Sequence, residues 1–132
     1  MDQPRYHPFA DLVGLVFDAH GAETSTCSIQ IDERHLNPHH VVHGGVPYTM
    51  ADTGMGAALY PSLAEGELCA TIEIKIAYFR PITTGRLVCR TRVTHRGRRT
   101  AHLESDILCD DRLVAKATGS YAIFTPGGPG PP

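Results

Sequence analysis

The sequence of 132 residues lacks any apolar run near the 18 or more residues that span a membrane as a helix. It also lacks a secretion signal, because its start, MDQPRYHPFADLVG, carries acids and prolines where such a signal has a basic and then an apolar block. We therefore expect a protein that is soluble, cytoplasmic and without a membrane partner.

Closely spaced cysteines are absent too. The four cysteines lie at least 20 residues apart, form no CxxC pair and stand inside apolar or alternating segments, at Cys27, Cys69, Cys89 and Cys109. This pattern is more typical of reduced core thiols than of disulfides or zinc ligands.

The chain has no excess of positive charge. Its net charge of -2 and pI near 6.4 argue against a nucleic-acid partner. The segment from Arg80 to Arg99 nevertheless holds seven arginines and no acid. Since arginine binds phosphate groups well, this segment is a candidate contact for a phosphorylated ligand, although a solvated strand face is the simpler interpretation for any single arginine.

Alternation of apolar and polar residues dominates the second half of the chain. It covers residues 67–79, 85–95, 99–110 and 112–124, and on the first of these it predicts one apolar face running from Leu68 to Tyr78. The breaks between the four segments are short enough for hairpins, so we predict an antiparallel meander of four long strands. Two further strands, at 14–20 and 24–32, form a hairpin upstream.

The segment GVPYTMADTGMGAALY (45–60) is of another kind and predicts a helix. Pro47 suits the first turn of a helix and Pro61 ends it. Asp52 is its only ionisable acid or base, so we expect the helix to be buried on most sides. Gly54 and Gly56 each cost about 1 kcal/mol in a helix, which indicates close approach of backbone, sheet or ligand there.

The order of two strands, one helix and four strands predicts an α+β fold. A chain of this size forms one domain, which we place at residues 1–124. The Pro/Gly-rich end, residues 125–132, has no apolar content to order it and is expected to be a disordered tail.

Asp52 is the principal candidate for chemistry. An acid inside an apolar helix is unfavourable unless it is hydrogen-bonded or used, and a satisfied structural Asp is about as probable as a functional one from this observation alone. The preceding His43-Gly44-Gly45 adds weight to function, because free backbone N–H groups at a helix start can polarise a carbonyl. Gly44 and Asp52 lie about 12 Å apart along one helix, so a site using both needs two antiparallel chains.

Several of these segments together resemble a known family. LNPHHVVHGGVPYTMADTG, IAYFRPITTG, GRRTAHLESDI and DDRLVAKATGSYAIF look like the hotdog-fold acyl-CoA thioesterases of the phenylacetate-pathway type, over about residues 11 to 124. The resemblance implies a long antiparallel sheet of about six strands wrapped around one central helix. It also implies homodimers that pair into a homotetramer, an acyl-CoA substrate with a small aryl or medium-chain acyl group, and no cofactor.

The same resemblance implies roles for individual residues. The N–H of Gly44 would polarise the thioester carbonyl, and Asp52 would act as nucleophile or as general base on water. Asn37 matches an amide that orients water or the acyl group, and His43 shapes the turn and contacts the thioester. The family often has glycine where this chain has His40, a departure that affects the path of the loop.

Substrate contacts are expected from the helix and from the arginine-rich segment. Helix position suggests Gly45, Tyr48, Thr49, Met55 and Leu59 for the acyl group. For the coenzyme phosphates, charge and position suggest Arg80, Arg96, Arg98 and Arg99.

Three alternatives compete with hydrolysis. A metal site formed by His35, His39, His40 and His43 is disfavoured, because these residues lie in a loop without the spacing of known zinc sites. A hotdog dehydratase or hydratase would pair a histidine with an acid, as His43 and Asp52 could. A non-catalytic acyl-CoA-binding domain is the third, although no DNA-binding extension is expected before residue 10 or after 124.

Overall fold

A computed structural model of the chain describes residues 7–127 and confirms the α+β prediction. Within these residues the structure has six strands, one long α-helix and a short α-helix before the first strand. In chain order the elements are α1 (Pro8–Val13), β1 (Leu15–Gly21), β2 (Thr24–Gln30), α2 (Gly45–Leu59), β3 (Leu68–Tyr78), β4 (Arg86–Arg96), β5 (Thr100–Cys109) and β6 (Arg112–Phe124). Residues 1–6 of the predicted domain and 128–132 of the predicted tail lie outside the described residues.

The sheet is antiparallel throughout, with the strand order β1-β2-β4-β5-β6-β3. The predicted meander is correct for β4 to β6 and wrong for β3, which pairs with β6 at the sheet edge. Segment 80–85 is extended and can span about 20 Å, whereas three strand spacings need about 14 Å. Hydrogen bonds hold this crossing in place, since its carbonyls at Ile82 and Gly85 accept from Val42 N at 2.7 Å and Ile31 N at 2.9 Å.

The predicted single apolar face of β3 is also wrong. A β-bulge between Thr71 and Glu73 shifts the alternation by one residue. Ile74 and the residues after it at even positions face the helix, but before the bulge it is Thr71 that does so. Leu68 therefore faces outward and is 45% exposed.

Helix α2 lies across the inner face of the sheet. Its buried face includes three fully buried large side chains, Met50, Met55 and Leu59, each of which contributes about 1.5–3 kcal/mol to folding. The opposite face, with Tyr48 and Asp52, is only half-buried in the single chain. The helix is therefore less enclosed than the sequence predicts, and one of its faces is available to a ligand or a second chain.

The two helix glycines differ in what surrounds them. A Cβ atom on Gly54 would lie 2.8 Å from Oγ1 of Thr91, so the sheet approaches the helix backbone too closely for any side chain. A Cβ atom on Gly56 would meet nothing within 4 Å. Gly54 thus serves helix–sheet packing, while Gly56 lies on the open face.

The state of the cysteines and the length of the helices bear on the expectations drawn from composition. All four cysteines are free thiols, and Cys27, Cys89 and Cys109 are buried. Within residues 7–127 no helix is long and apolar enough to cross a membrane.

Candidate active site

Asp52 lies at the middle of α2, on the half-buried face. Its Oδ1 accepts a hydrogen bond from Oγ1 of Thr71 at 2.7 Å and another from Oη of Tyr121 at 2.5 Å. Both donors come from neighbouring strands, since Thr71 on β3 pairs directly with Tyr121 on β6. No described residue donates to the other carboxylate oxygen, Oδ2.

Sequence reasoning missed both Thr71 and Tyr121. Each lies within an alternating strand, and alternation indicates which face a residue shares without indicating what it meets there. A buried tyrosine needs a hydrogen-bond partner for its hydroxyl. A tyrosine at a core-facing position of β6 was therefore a weak indication of a polar partner, and Tyr121 is 3% exposed. Burial and the hydrogen bond to Asp52 raise the pKa of Tyr121, so its hydroxyl remains a donor at neutral pH.

A cavity of about 530 Å³ opens in front of Asp52. Its wall combines the hydroxyls around the carboxylate with aromatic rings from several elements, namely Phe9, Phe17, Tyr48 and Tyr60. The rings of Phe17 and His7, which also lines the cavity, lie 5.8 Å apart. The site is thus one acid at the edge of a mostly apolar space, a combination typical of small-molecule sites.

Of the helix residues predicted to contact the acyl group, Tyr48 and Thr49 line this cavity. Oγ1 of Thr49 donates to the Gly45 carbonyl at 2.8 Å. Met55 and Leu59 do not line it, because both are fully buried beneath the helix. A Cβ on Gly119 of β6 would meet the Met55 sulfur at 2.6 Å, so Met55 packs on the sheet.

Cys69 shares the cavity with Asp52 but is not a competing nucleophile. Burial raises the pKa of the Cys69 thiol, and the nearby Asp52 acts in the same direction. The thiol is therefore protonated at neutral pH, whereas a thiolate is the nucleophilic form.

The start of α2 forms a second, separate region. Gly44 is the N-terminal cap residue, and its carbonyl accepts from Oη of Tyr78 at 2.7 Å. His43 uses Nδ1 to accept from the Gly45 N–H at 2.8 Å, so its side chain contacts the backbone of the turn before α2. The Gly44 N–H donates to no described residue and is free to bind a ligand atom.

Gly44 and Asp52 face different spaces within one chain. Gly44 lines a cavity of about 310 Å³ together with Tyr78, Phe79 and Arg80, none of which lines the cavity at Asp52. The two residues do not meet within one chain, in agreement with the separation of about 12 Å expected along the helix.

The loop before the helix is ordered by Asn37. Its Oδ1 accepts from His39 N at 2.8 Å and from Val41 N at 3.4 Å, which leaves only the side-chain NH₂ for a substrate or water. His40 has φ of 64°, in the left-handed region that glycine adopts without strain. The backbone at this position therefore has the conformation that suits the glycine often found there in the family, although this chain has a histidine.

The histidines of the loop do not converge. Both ring nitrogens of buried His35 are used, because Nδ1 accepts from Asp32 N at 2.9 Å and Nε2 donates to the Val13 carbonyl at 2.6 Å. Among residues 7–127, no group of three or more metal-ligating side chains comes together.

The candidate arginines lie at two ends of the molecule. Arg80 follows β3 and lies near Gly44, whereas Arg98 and Arg99 are exposed in the turn between β4 and β5, at the opposite end of the strands. Arg96 is bound to its own chain through Oγ and O of Ser62 at 3.1 and 3.2 Å and through Glu67 at 3.6 Å. Its contacts tie the end of α2 to the sheet.

The family of the chain follows from its sequence match. The sequence model of the thioesterase superfamily matches residues 39–116, which is more than half of the chain and includes the helix start, Asp52 and strands β3 to β5. The chain belongs to the thioesterase superfamily. The resemblance to hotdog-fold thioesterases is thereby confirmed, and so is the prediction of a thioester hydrolase.

Individual members agree with this assignment. A Pseudomonas aeruginosa protein named "Putative esterase" is 31% identical over 121 residues, 90% of each chain. The structure of a variant thioesterase from that organism has TM-score 0.84 and 26% identity, over 89% of this chain and 86% of the other. A variant of the phenylacetic acid degradation protein PaaI from Thermus thermophilus has TM-score 0.82 and 25% identity, over 88% and 98%. This thioesterase therefore has the hotdog fold.

Proposed function

We propose that this thioesterase hydrolyses the CoA thioester of a small aryl or medium-chain carboxylic acid. The observation that carries the proposal is the Asp52 carboxylate, which has one oxygen held by two hydroxyl groups and the other open to a largely apolar cavity of about 530 Å³. This volume is within the usual range for small-ligand sites, and an aromatic wall suits an apolar acyl group.

The reaction begins with the thioester carbonyl at the N–H of Gly44 from the partner subunit. That N–H stabilises the negative charge that develops on the carbonyl oxygen. Asp52 then either attacks the carbonyl carbon through its open oxygen or removes a proton from a water molecule that attacks. If Asp52 attacks, CoA leaves as the thiolate, and water then hydrolyses the acyl–Asp52 anhydride to the free acid and regenerates the carboxylate. If water attacks, the tetrahedral intermediate expels the thiolate of CoA, which takes up the proton held by Asp52, and the free acid is released. Asn37 contributes its free NH₂ to the position of the water or the acyl group.

The partner subunit is a second copy of this chain. Strand β3 lies at the sheet edge, so its outer side offers unpaired backbone groups, and the open face of α2 lies close to it. Antiparallel pairing of two β3 strands continues the sheet and sets two copies of α2 side by side. In that arrangement Gly44 of one chain approaches Asp52 of the other. Two such dimers then pair into a tetramer.

The coenzyme phosphates are held by arginines of both chains. Arg80 lies at the end of the strands opposite to Arg98 and Arg99, so one CoA meets both groups only when two antiparallel chains bring opposite ends together. Arg80 belongs to the chain that supplies Gly44, and the other two belong to the chain that supplies Asp52. We leave Arg96 out of this set, because Ser62 and Glu67 already contact its guanidinium.

The structure disfavours the dehydratase alternative within one chain. A hydratase or dehydratase needs a histidine and an acid at the same carbon atom. Within one chain His43 lies about two turns from Asp52. Across two chains its Nδ1 would still accept from the Gly45 N–H, which leaves only Nε2 for proton transfer. A non-catalytic acyl-CoA-binding protein remains the second candidate, because the open cavity alone suits a ligand as well as a substrate.

The decisive experiment compares wild type with Asp52→Asn on a panel of benzoyl-, phenylacetyl-, hexanoyl- and octanoyl-CoA, with release of free thiol as the readout. Asn has the same shape and its side-chain oxygen still accepts from Thr71 and Tyr121. We expect kcat to fall by about 10²–10⁴, the usual contribution of a catalytic base, with fold and oligomer unchanged. Near-normal turnover by the variant would refute the mechanism. Binding of these esters without thiol release by wild type would favour the non-catalytic protein.

A further inference from the structure

Tyr121 contacts Asp52 at two points and has no role in the reaction described so far. Its Oη lies 2.7 Å from the backbone carbonyl oxygen of Asp52 and 2.5 Å from its Oδ1. One hydroxyl therefore spans the main chain and the side chain of the same residue. Such a contact fixes the rotamer of the carboxylate, because rotation about the Cα–Cβ bond would break it.

Both hydroxyl donors use the same carboxylate oxygen. Thr71 and Tyr121 each donate to Oδ1, and among residues 7–127 no donor contacts Oδ2. A hydrogen-bonded carboxylate oxygen is less basic and less nucleophilic than a free one, and its lone pairs are already directed at the donors. The two oxygens of Asp52 are therefore chemically distinct before any substrate binds.

We propose that Tyr121 is a positioning residue of the active site, which together with Thr71 holds Oδ1 of Asp52 and thereby makes Oδ2 the oxygen that attacks or takes a proton. This inference rests on the proposed function, since it assigns the reacting atom of the same catalytic acid.

Tyr121 is suited to this role by its surroundings. The side chain lies under α2 in the core and is 3% exposed, so packing fixes the position of its ring. Its backbone is fixed between two strands, since Tyr121 of β6 pairs with Thr71 of β3 on one side and Ala101 of β5 on the other. Thr71 lies in β3 next to the bulge, so both donors are carried by the sheet and the acceptor by the helix.

The test uses Tyr121→Phe, which removes the hydroxyl and keeps the ring that fills the core. We expect kcat for hexanoyl-CoA or benzoyl-CoA to fall by about ten- to a hundredfold with KM nearly unchanged, because a hydrogen bond to a charged group is lost. The loss should appear in kcat and not in KM, because the hydroxyl positions the reacting carboxylate and does not contact the substrate. Thr71→Val, which also removes a hydroxyl donor, should lower kcat in the same way. Thr71→Ser, which keeps the hydroxyl, should retain most of the wild-type kcat.

Ser120→Ala is the matched control. Ser120 is the neighbour of Tyr121 on β6 but faces the opposite side of the sheet, where its hydroxyl lies 3.1 Å from Nδ1 of His102. Loss of that hydroxyl should leave kcat and KM as in wild type. Thermal unfolding of all variants shows whether the folded state persists at the assay temperature.

Three outcomes separate this inference from the function on which it rests. A reduced kcat in Tyr121→Phe with no loss in Thr71→Val, or with an equal loss in Thr71→Ser, would mean that Tyr121 only supports packing and would overturn the inference. Wild-type kinetics of Tyr121→Phe together with an inactive Asp52→Asn would overturn it as well, while the proposed function stands. An active Asp52→Asn would remove the function itself, whatever Tyr121→Phe does.

Discussion

A site divided between two chains predicts that two inactive variants restore activity when they share a dimer. The first variant is Gly44→Pro, which removes the N–H that polarises the carbonyl. Gly44 has φ of -57°, a value that proline adopts, so the backbone tolerates the change. The added Cβ would lie 3.0 Å from Oη of Tyr78, the end of a side chain that can shift. The second variant is Asp52→Asn.

The size of the recovery follows from the geometry. Each variant alone should lose about two to three orders of magnitude or more in kcat. In a mixed dimer one site contains both substitutions, whereas the other combines the intact Gly44 of one chain with the intact Asp52 of its partner. A purified mixed dimer should therefore have about half of wild-type activity, and an unseparated equal mixture of freely assembling chains about a quarter.

The assay is thiol release from benzoyl-CoA by an equal mixture of the freely assembling variants, with a different affinity tag on each chain so that cross-linking and capture on both tags show that mixed dimers form. Gly44→Ala is the matched control, because it adds the same Cβ and keeps the N–H, so it should retain most of the activity when paired with wild type or alone. Mixed dimers with activity no higher than the two parent variants would refute the shared site and would place carbonyl polarisation within one chain.

Three further predictions concern packing, coenzyme binding and pH. Gly54→Ala should lower the free energy of unfolding, measured in urea, by about 1–3 kcal/mol, because the added Cβ would press on Thr91. Gly56→Ala should raise the free energy of unfolding by up to about 1 kcal/mol, because alanine favours the helix and its Cβ meets nothing. Equal effects of the two substitutions would contradict the packing described. Arg80→Ala should raise KM for an acyl-CoA several-fold and leave kcat nearly unchanged in steady-state assays, and an unchanged KM would remove Arg80 from the coenzyme site. Because the pKa of Tyr121 is raised by burial in the folded state, the unfolded chain releases this proton first. Stability in urea titrations should therefore fall above pH about 10, by up to about 1.4 kcal/mol per pH unit more in wild type than in Tyr121→Phe, and identical slopes would argue against it.

The bounds of the elements follow from local sequence signals, while the order of the strands does not. Pro47 lies in the first turn of α2, and Pro61 follows its end. Alternation predicts each strand to within about two residues. Alternation contains no information on which strand lies beside which, so the crossing of segment 80–85 over the strand ends was missed. The bulge in β3 was missed for a related reason, because a single extra residue leaves the sequence pattern intact while the faces exchange.

The same contrast between local sequence signals and long-range contacts holds for the candidate site. The proposal of Asp52, of Gly44 and of a site shared by two chains could be made from helix geometry and from the rarity of an acid in an apolar helix, and it stays a proposal. Tyr121 was not predicted, because its partner is 69 residues away in the sequence and the contact depends on the strand order. Met55 was assigned to the acyl pocket because the sequence does not indicate which face of a nearly uncharged helix meets the sheet.

The position of β3 has a consequence for the life of the newly made chain. A single subunit carries a long open edge next to exposed Leu68, Ile72, Tyr78 and Phe79, and such an edge accepts strands of other proteins as readily as its own. The pairing of two β3 strands proposed above would therefore also shield this apolar edge. If the active site needs both chains, the rate at which chains meet would limit the amount of active enzyme at low concentration.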